Sequence, residues 1–213
     1  MKRFLVPAAA ALTLAACDTL TGPREIMDRS TIEWRVAATP ADRARLHDWR
    51  PAFVEALAKA RAAGHASEIA AEGALLDPDS GIVGVPISNG DYRCRVIKLG
   101  AKQAGMLDFV AYPAFDCHIR QEGGLQGFAK MGGSQRPVGV IFPGDSMRQV
   151  FLGTLVLGDE TRAMQYGGDP DRDVAAFLEK IGPDRWRMVL PRPAFESTLD
   201  VIELIPVSQG ARQ

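Results

Sequence analysis

Apolar and polar residues alternate in short runs along the second half of the chain, between residues 90 and 207. In the run "DRWRMVL", Trp186, Met188 and Leu190 fall on one face of an extended chain, and two arginines fall on the other. Because successive side chains of a strand point to opposite faces, this pattern predicts half-buried strands. The predicted strands lie near residues 91–99, 108–112, 115–121, 125–131, 136–142, 149–157, 185–191 and 199–206.

Two segments of this region depart from the alternation. The segment "VFLGTLVLG" is apolar on both faces, which predicts a central strand covered on both sides. The segment after Asp169 is predicted to be an inserted helix, with Asp169 as its N-cap and Pro170 as its first residue. This helix is expected to end at Ile181, before Gly182-Pro183.

Before residue 90 the apolar residues recur at three- and four-residue steps, which is the period of an amphipathic helix. Thr39-Pro40 offers an N-cap and a first-turn proline, and Pro51 either kinks the helix or opens a second one capped by Asp48. Gly64 ends this run, and a short helical piece is predicted at 67–72. The apolar stripe, which we expect to pack on the rest of the domain, consists of Leu46, Trp49, Phe53, Leu57 and Ala60.

These elements predict an α+β protein with N-terminal helices packed on a mainly antiparallel β-meander, which curls into a barrel or a sandwich. The chain is then divided into five parts. They are a signal peptide at 1–16, a lipidated tether at 17–33, a helical region at 34–89, an antiparallel β domain with one inserted helix at 90–207, and a tail at 208–213.

The first residues carry the features of an export signal. Lys2 and Arg3 precede an apolar run at 4–14, which is too short to span a bilayer. The run ends in Leu14-Ala15-Ala16-Cys17, which resembles the bacterial lipoprotein signal, in which the cysteine is lipidated and becomes the new first residue. Ordinary cleavage and a retained anchor are the alternatives. We expect a periplasmic, lipid-anchored protein of the bacterial cell envelope, with the leaflet left open.

Cys94 and Cys117 remain for other chemistry, and in an oxidising compartment two such thiols most often pair. Each lies on the apolar side of a predicted strand, so the two can meet there. A redox dithiol would need Cys-x-x-Cys, and zinc would need ligands in close pairs. A cysteine nucleophile needs a histidine, but His118 falls on the opposite strand face from Cys117. We therefore predict a disulfide between Cys94 and Cys117.

Composition narrows the function classes. A hydrophobic content of 46% and a charged content of 24% predict a folded chain. The formal net charge of −1 leaves no basic surplus for phosphates, so no nucleic-acid partner is predicted. No dinucleotide or phosphate-loop fingerprint is present. Asp169, Asp171 and Asp173 lack the glycine and glutamate of a calcium loop, so neither a metal nor a cofactor is predicted.

Two serines and one basic cluster are the remaining candidates for chemistry. Gly144-Asp145-Ser146 resembles the opening block of the Gly-Asp-Ser hydrolases, but no histidine follows it, and the same residues are typical of a hairpin turn. Ser134 lacks the second glycine of a nucleophile elbow. A candidate anion-binding surface, tempered by Asp116, consists of Arg93, Arg95, His118 and Arg120.

The order of segments also resembles a known family. "YRCRVIKLG", "FDCHI", "GGSQRPVG", "VFLGTLVLGDE", "YGG", "DRWRMVLPRP" and "ESTLDVIELIP" together resemble a family of exported bacterial proteins, domain of unknown function 4893. The likeness covers most of the chain after about Trp34. It implies an envelope location and brings no activity, cofactor or catalytic residue. Both cysteine segments fit the family pattern.

Three hypotheses for function follow. The first is a membrane-tethered, non-enzymatic module that binds a small ligand or another envelope protein, as a binding, inhibitor or assembly factor. The second is an envelope serine hydrolase using Ser146 or Ser134. The third is a purely structural lipoprotein.

Overall fold

The structure is a computed structural model that describes residues 33–84 and 86–207. The predicted signal peptide, the lipidation site Cys17, the tether up to residue 32 and the tail at 208–213 lie outside the described residues.

The described chain begins with short helices that wrap one side of a sheet. Thr39 caps the second helix as predicted, because its hydroxyl accepts a hydrogen bond from the Asp42 amide. Pro51 lies in the first turn of a separate helix, where a proline breaks no hydrogen bond. None of the helices in the described ranges has the length and hydropathy needed to cross a membrane. The helices are α1 (Trp34–Ala37), α2 (Pro40–His47), α3 (Trp49–Ala62) and α4 (Ala66–Glu72), followed by a 3₁₀ turn at Gly73–Leu76.

Nine antiparallel strands follow the helices. All eight strands predicted from the alternation of apolar and polar residues are present, with ends that differ by at most a few residues. The strands are β1 (Gly90–Ala101), β2 (Phe109–Ala111), β3 (Phe115–Glu122), β4 (Leu125–Lys130), β5 (Gln135–Phe142), β6 (Arg148–Leu157), β7 (Asp173–Gly182), β8 (Arg185–Pro191) and β9 (Ser197–Pro206).

The predicted inserted helix between Asp169 and Ile181 is wrong, because residues 173–182 form strand β7. Asp169 caps only a turn, in which its carbonyl accepts from the amides of Arg172 and Asp173. The segment "VAAFLEK" contains good helix formers, but β7 lies between β6 and β8 and pairs with both. Both of its faces are covered, so the apolar residues show no alternation, and tertiary packing overrides helix propensity.

The sheet closes on itself. β1 pairs with β9 along its length, from Tyr92 opposite Pro206 to Ala101 opposite Ser197. Eight strands thus form a closed antiparallel barrel, and β2 is an extra strand on the upper half of β1. The barrel, rather than the sandwich, is the correct form of the predicted meander.

Buried apolar clusters on both faces of the sheet hold the barrel and the helices together. Inward-facing residues such as Phe128, Phe151 and Met188 fill the barrel. Outward-facing residues of β1, β8 and β9 pack against α3, where Phe53 and Leu57 are buried. The predicted apolar stripe of the helical region is therefore core packing, and it covers one side of the barrel.

Candidate functional site

The barrel interior is incompletely filled at the end where β1, β4, β6 and β8 finish. The cavity there has a volume of about 80 Å³ and opens to solvent. We call it the Lys130 cavity. Its walls combine apolar and polar groups in comparable amounts. They consist of Val96, Lys98, Tyr112, Phe115, Lys130, Gly133, Ser134, Gln135, Pro137, Leu155, Leu190, Glu196, Asp200 and Ile202.

Lys98 points into this cavity from β1 and is neutralised there. Its Nζ lies 2.9 Å from a carboxylate oxygen of Asp200 and 3.2 Å from one of Glu196. It also donates to Gln135 Oε1 at 3.0 Å. Burial alone would lower the pKa of Lys98, but the two carboxylates raise it above its ordinary value. Lys98 is therefore a satisfied buried cation.

Lys130 points into the same cavity from the end of β4 and has no such partner. Its side chain belongs to a residue only 3% exposed, and among the described residues no carboxylate forms an ion pair with it. The ammonium donates to the carbonyls of Gly132 and, at 3.3 Å, Gln135, and it lies 3.8 Å from the centre of the Phe115 ring. Burial lowers the pKa of Lys130 to about 8, and the positive charges of Arg136 and Lys98 add to this effect.

The glycines after β4 allow this arrangement. Gly133 has a φ of +82°, which favours glycine. A Cβ on Gly132 would lie 2.9 Å from Cδ1 of Phe115, and one on Gly133 would lie 2.9 Å from Nζ of Lys130. The turn therefore brings the backbone against both the ring and the ammonium, and a side chain at either position would displace them.

The charge around Lys130 is positive beyond the lysines. Arg136 donates to the carbonyls of Gly133, Gly158 and Glu160 at 3.0, 2.7 and 2.7 Å. These acceptors are uncharged, so they hold the guanidinium without neutralising it. Within the described chain, neither Lys130 nor Arg136 forms a direct ion pair with a carboxylate, although Arg136 helps to lower the pKa of Glu160.

The sequence contains a signal for this site, namely a lysine on the apolar face of β1 and another on the apolar face of β4. Tyr92, Cys94 and Val96 mark the inward face of β1, and Lys98 continues the same face. Phe128 and Lys130 share the inward face of β4 in the same way. A lysine on the apolar face of a strand indicates either a buried ion pair or a binding group.

The predicted disulfide is confirmed. Cys94 and Cys117 are bonded across β1 and β3, with their Cα atoms 5.9 Å apart, and both residues are fully buried in the barrel. The bond leaves neither sulfur available as a nucleophile or a metal ligand.

The four residues of the predicted anion-binding surface lie on the outer face of β1 and β3, but carboxylates occupy them. Arg93 pairs with Asp116, and Arg95 donates to both Glu72, at 2.8 Å, and Glu203, at 3.0 Å. Arg120 and His118 both bind Asp91, and they lower the pKa of that carboxyl to about 2. The basic residues of this surface are therefore paired with carboxylates, whereas Lys130 forms no ion pair among the described residues.

The two candidate nucleophiles are exposed serines in the turns before and after β5. Ser146 is exposed in a turn that Asp145 holds, because its carboxylate accepts from the amides of Met147 and Arg148 at 2.8 Å. Ser134 is exposed at the rim of the Lys130 cavity. In the part of the chain that the structure describes, neither hydroxyl has a hydrogen bond to a histidine. No group of three His, Cys, Asp or Glu in that part could hold a metal ion.

Comparison with known proteins identifies the family alone. No curated protein and no solved structure matches the chain. A family profile described as Domain of unknown function (DUF4893) matches residues 34–204, from the start of α1 to near the end of β9. The match spans more than half of the sequence and contains every residue of the Lys130 cavity. The chain belongs to the DUF4893 family.

Proposed function

We propose that the protein is a lipid-anchored, non-enzymatic binding module of the bacterial cell envelope, and that it holds a small ligand in the Lys130 cavity. The anchor is the lipid on Cys17, for which the support is the order of charge, apolar run and Leu14-Ala15-Ala16-Cys17. The buried disulfide is consistent with an oxidising compartment.

The single observation that carries the binding proposal is the unfilled end of the barrel. An interior of about eight strands is just wide enough for side chains to fill or for one small ligand. Here the side chains fill the lower part, while the upper part holds an unfilled cavity of about 80 Å³, lined by apolar side chains, polar side chains and two lysines. Apolar walls with few convergent polar groups are typical of small-molecule sites.

The structural surroundings give the hydrolase hypothesis little support. A serine hydroxyl needs an adjacent base to become a nucleophile, and neither candidate serine has a hydrogen bond to a histidine in the described chain. Ser134 borders the cavity, so it is the serine to test. A purely structural lipoprotein would have no occupant in the cavity.

Native mass spectrometry of the mature protein, purified gently from its own envelope, tests the proposal. We expect the acyl groups on Cys17 and a bound small molecule on the wild-type protein. Val96→Phe fills the cavity wall and should abolish the passenger, while Val36→Phe, on the exposed face of α1, should retain it. A wild-type protein without a passenger, or a passenger that survives Val96→Phe, would contradict the binding proposal.

The anchor and the absence of hydrolysis have separate tests. Cys17→Ser should remove the acyl mass and move the protein from the membrane to the soluble fraction. Retention in the membrane would contradict the anchor. A fluorophosphonate probe should leave Ser134 and Ser146 unlabelled, and labelling that Ser134→Ala abolishes would replace the binding module with the hydrolase.

A further inference from the structure

We infer that Lys130 is the receptor for a carboxylate, and that the ligand of the cavity is an amphipathic monoanion with an apolar body. This inference rests on the proposed binding function and names the ligand class of the same cavity. Its basis is the contrast between two inward-facing lysines, of which one is neutralised and one is not.

Lys130 is a buried cation without an opposite charge among its described contacts, which is the arrangement expected of a group that binds an anionic ligand. Burying an ammonium is costly unless an opposite charge accompanies it. Lys98, in the same cavity, has two carboxylates, whereas the described contacts of Lys130 are two carbonyls and an aromatic ring. The glycines at 132 and 133 let the turn approach the Phe115 ring and the Lys130 ammonium closely. The turn therefore orients the ammonium without supplying a counterion.

Gln135 links the two lysines and fixes their geometry. Its side-chain oxygen accepts from Lys98 at 3.0 Å, and its carbonyl accepts from Lys130 at 3.3 Å. Both ammonium groups therefore contact Gln135, the first residue of β5.

The distribution of charge limits the ligand to one negative group. The charges acting on Lys130 are Arg136 from β5 and Lys98 from β1, both positive. Asp200 and Glu196, on the β9 side, are bound to Lys98 and line the same cavity. A second negative group on the ligand would meet these carboxylates, so a monoanion fits and a dianion does not.

The side chains that line the cavity indicate the chemistry of the rest of the ligand. Apart from the polar groups, the cavity is lined by aliphatic and aromatic side chains, and Tyr112 reaches its exposed rim. The apolar part of this surface gains from burying hydrocarbon. A short hydrocarbon chain ending in a carboxylate satisfies both the walls and Lys130.

Binding is then linked to protonation. Lys130 must be charged to hold the carboxylate, and an anion beside it raises its pKa. Because burial sets the pKa of the free protein to about 8, binding above that pH requires the uptake of a proton. The affinity for the anion should fall as the pH rises from 7 to 9.5.

Calorimetric titration of the full chain carrying Cys17→Ser, which needs no detergent, tests the inference with three probes. Octanoate, octanol and octylammonium share a hydrocarbon chain and differ in charge. We expect octanoate to bind most tightly and octylammonium least. Lys130→Gln should weaken octanoate about 10- to 100-fold and leave octanol unchanged, since a hydrogen bond to a charged group is of that size. Lys180→Gln, at the other end of the barrel, serves as the matched control.

The outcomes separate this inference from the proposed function. If octanoate and octanol bind equally and Lys130→Gln changes neither, the cavity binds apolar ligands and the anion receptor is refuted. If none of the probes binds, the proposed binding function of the cavity fails as well. A loss of octanoate binding that Lys180→Gln shares would also overturn the assignment to Lys130.

Discussion

Arg187 and Glu179 form an ion pair in which neither side chain is accessible to solvent, with Nη2 and Oε2 2.7 Å apart. Glu179 also accepts from Arg148 at 2.6 Å. Arg187 reaches across to the helical region and donates to the carbonyls of Ala74 and Leu75, both at 3.0 Å. The pair therefore joins the outer face of β7 and β8 to the segment that follows α4.

We expect Arg187→Met to lower the free energy of unfolding by about 3 to 5 kcal/mol, because it leaves the Glu179 carboxylate buried with one partner fewer. It also removes one donor from the carbonyl of Ala74 and one from the carbonyl of Leu75. Urea unfolding followed by circular dichroism measures the change.

Two further variants interpret this loss. Arg93→Ala removes an arginine from an exposed pair with Asp116 and should cost less than about 1 kcal/mol. Adding Glu179→Leu to Arg187→Met should recover part of the loss, since the uncompensated charge is gone. Equal effects of Arg187→Met and Arg93→Ala would contradict a buried role for Arg187.

Lys130→Met should stabilise the protein at pH 7. The folded-state pKa of Lys130 is lowered to about 8 from the ordinary 10.5, so the unfolded chain binds more protons between these two values. Below pH 8 the burial of the charged ammonium therefore destabilises the wild type to its full extent. The free energy of unfolding of the wild type rises by roughly 3 kcal/mol as the pH rises from 8 to 10.5. The difference between Lys130→Met and the wild type should shrink across this window.

Chemical denaturation at several pH values between 6.5 and 10.5 gives that difference. Lys180→Met serves as a control that keeps Lys130 in place. A stability difference independent of pH would show that the ammonium of Lys130 has an ordinary pKa in the folded protein.

The disulfide should stabilise the fold through the unfolded chain. Cys94 and Cys117 are 23 positions apart, and in the chain-entropy model a loop of this length is worth roughly 3 kcal/mol. We expect the oxidised wild type to exceed Cys94→Ala/Cys117→Ala in free energy of unfolding by at least this amount, because the alanines also leave a cavity. Cys17→Ala, which keeps the bridge, should match the wild type; a double variant as stable as Cys17→Ala would refute the prediction.

A pair of glycines brings β5 and β6 into close contact. Gly139 lies opposite Gly153, and a Cβ on Gly153 would lie 2.3 Å from the Val138 carbonyl oxygen. Gly153→Ala should therefore destabilise the barrel by about 2 kcal/mol, the usual cost of overpacking. Gly90→Ala is the comparison, because its Cβ would meet nothing closer than 3.7 Å. Thermal unfolding distinguishes the two, and a harmless Gly153→Ala would mean that the strands separate freely there.

The sequence predicted the strands that have one face towards the core. In "DRWRMVL" the alternation is local, so Trp186, Met188 and Leu190 could be assigned to one face without a partner strand. β7 could not be assigned in this way, because "VAAFLEK" is buried on both sides and so shows no alternation of apolar and polar residues. Without that alternation, its helix-forming residues favour a helix. The burial of Arg187 could not be predicted either. Alternation gives the strand face on which Arg187 lies, but its burial depends on the helical region that covers that face.

Closure of the sheet and the Lys130 cavity lay beyond local patterns for a similar reason. β1 and β9 become neighbours only through the whole meander, so no short segment distinguishes a barrel from a sandwich. The inward position of Lys130 follows from alternation with Phe128, but whether a carboxylate faces it depends on β1, β5 and β9 together. The disulfide was accessible because both cysteines lie on adjacent strands whose faces were readable.

The pairing of β1 with β9 imposes an order on folding. Each hairpin from β3 to β8 can form from neighbouring segments, and the cysteine bridge spans only 23 positions. The last seam, with Leu99 against Leu199, must wait for the final strand, and such distant contacts slow a chain's folding. Until that seam forms, β1 and the last strand to be paired present open edges to other chains. A chain that stops short of β9 leaves an edge of β1 and an edge of β8 exposed and is therefore prone to aggregate, whereas closure of the seam leaves the short strand β2 as the edge of the described sheet.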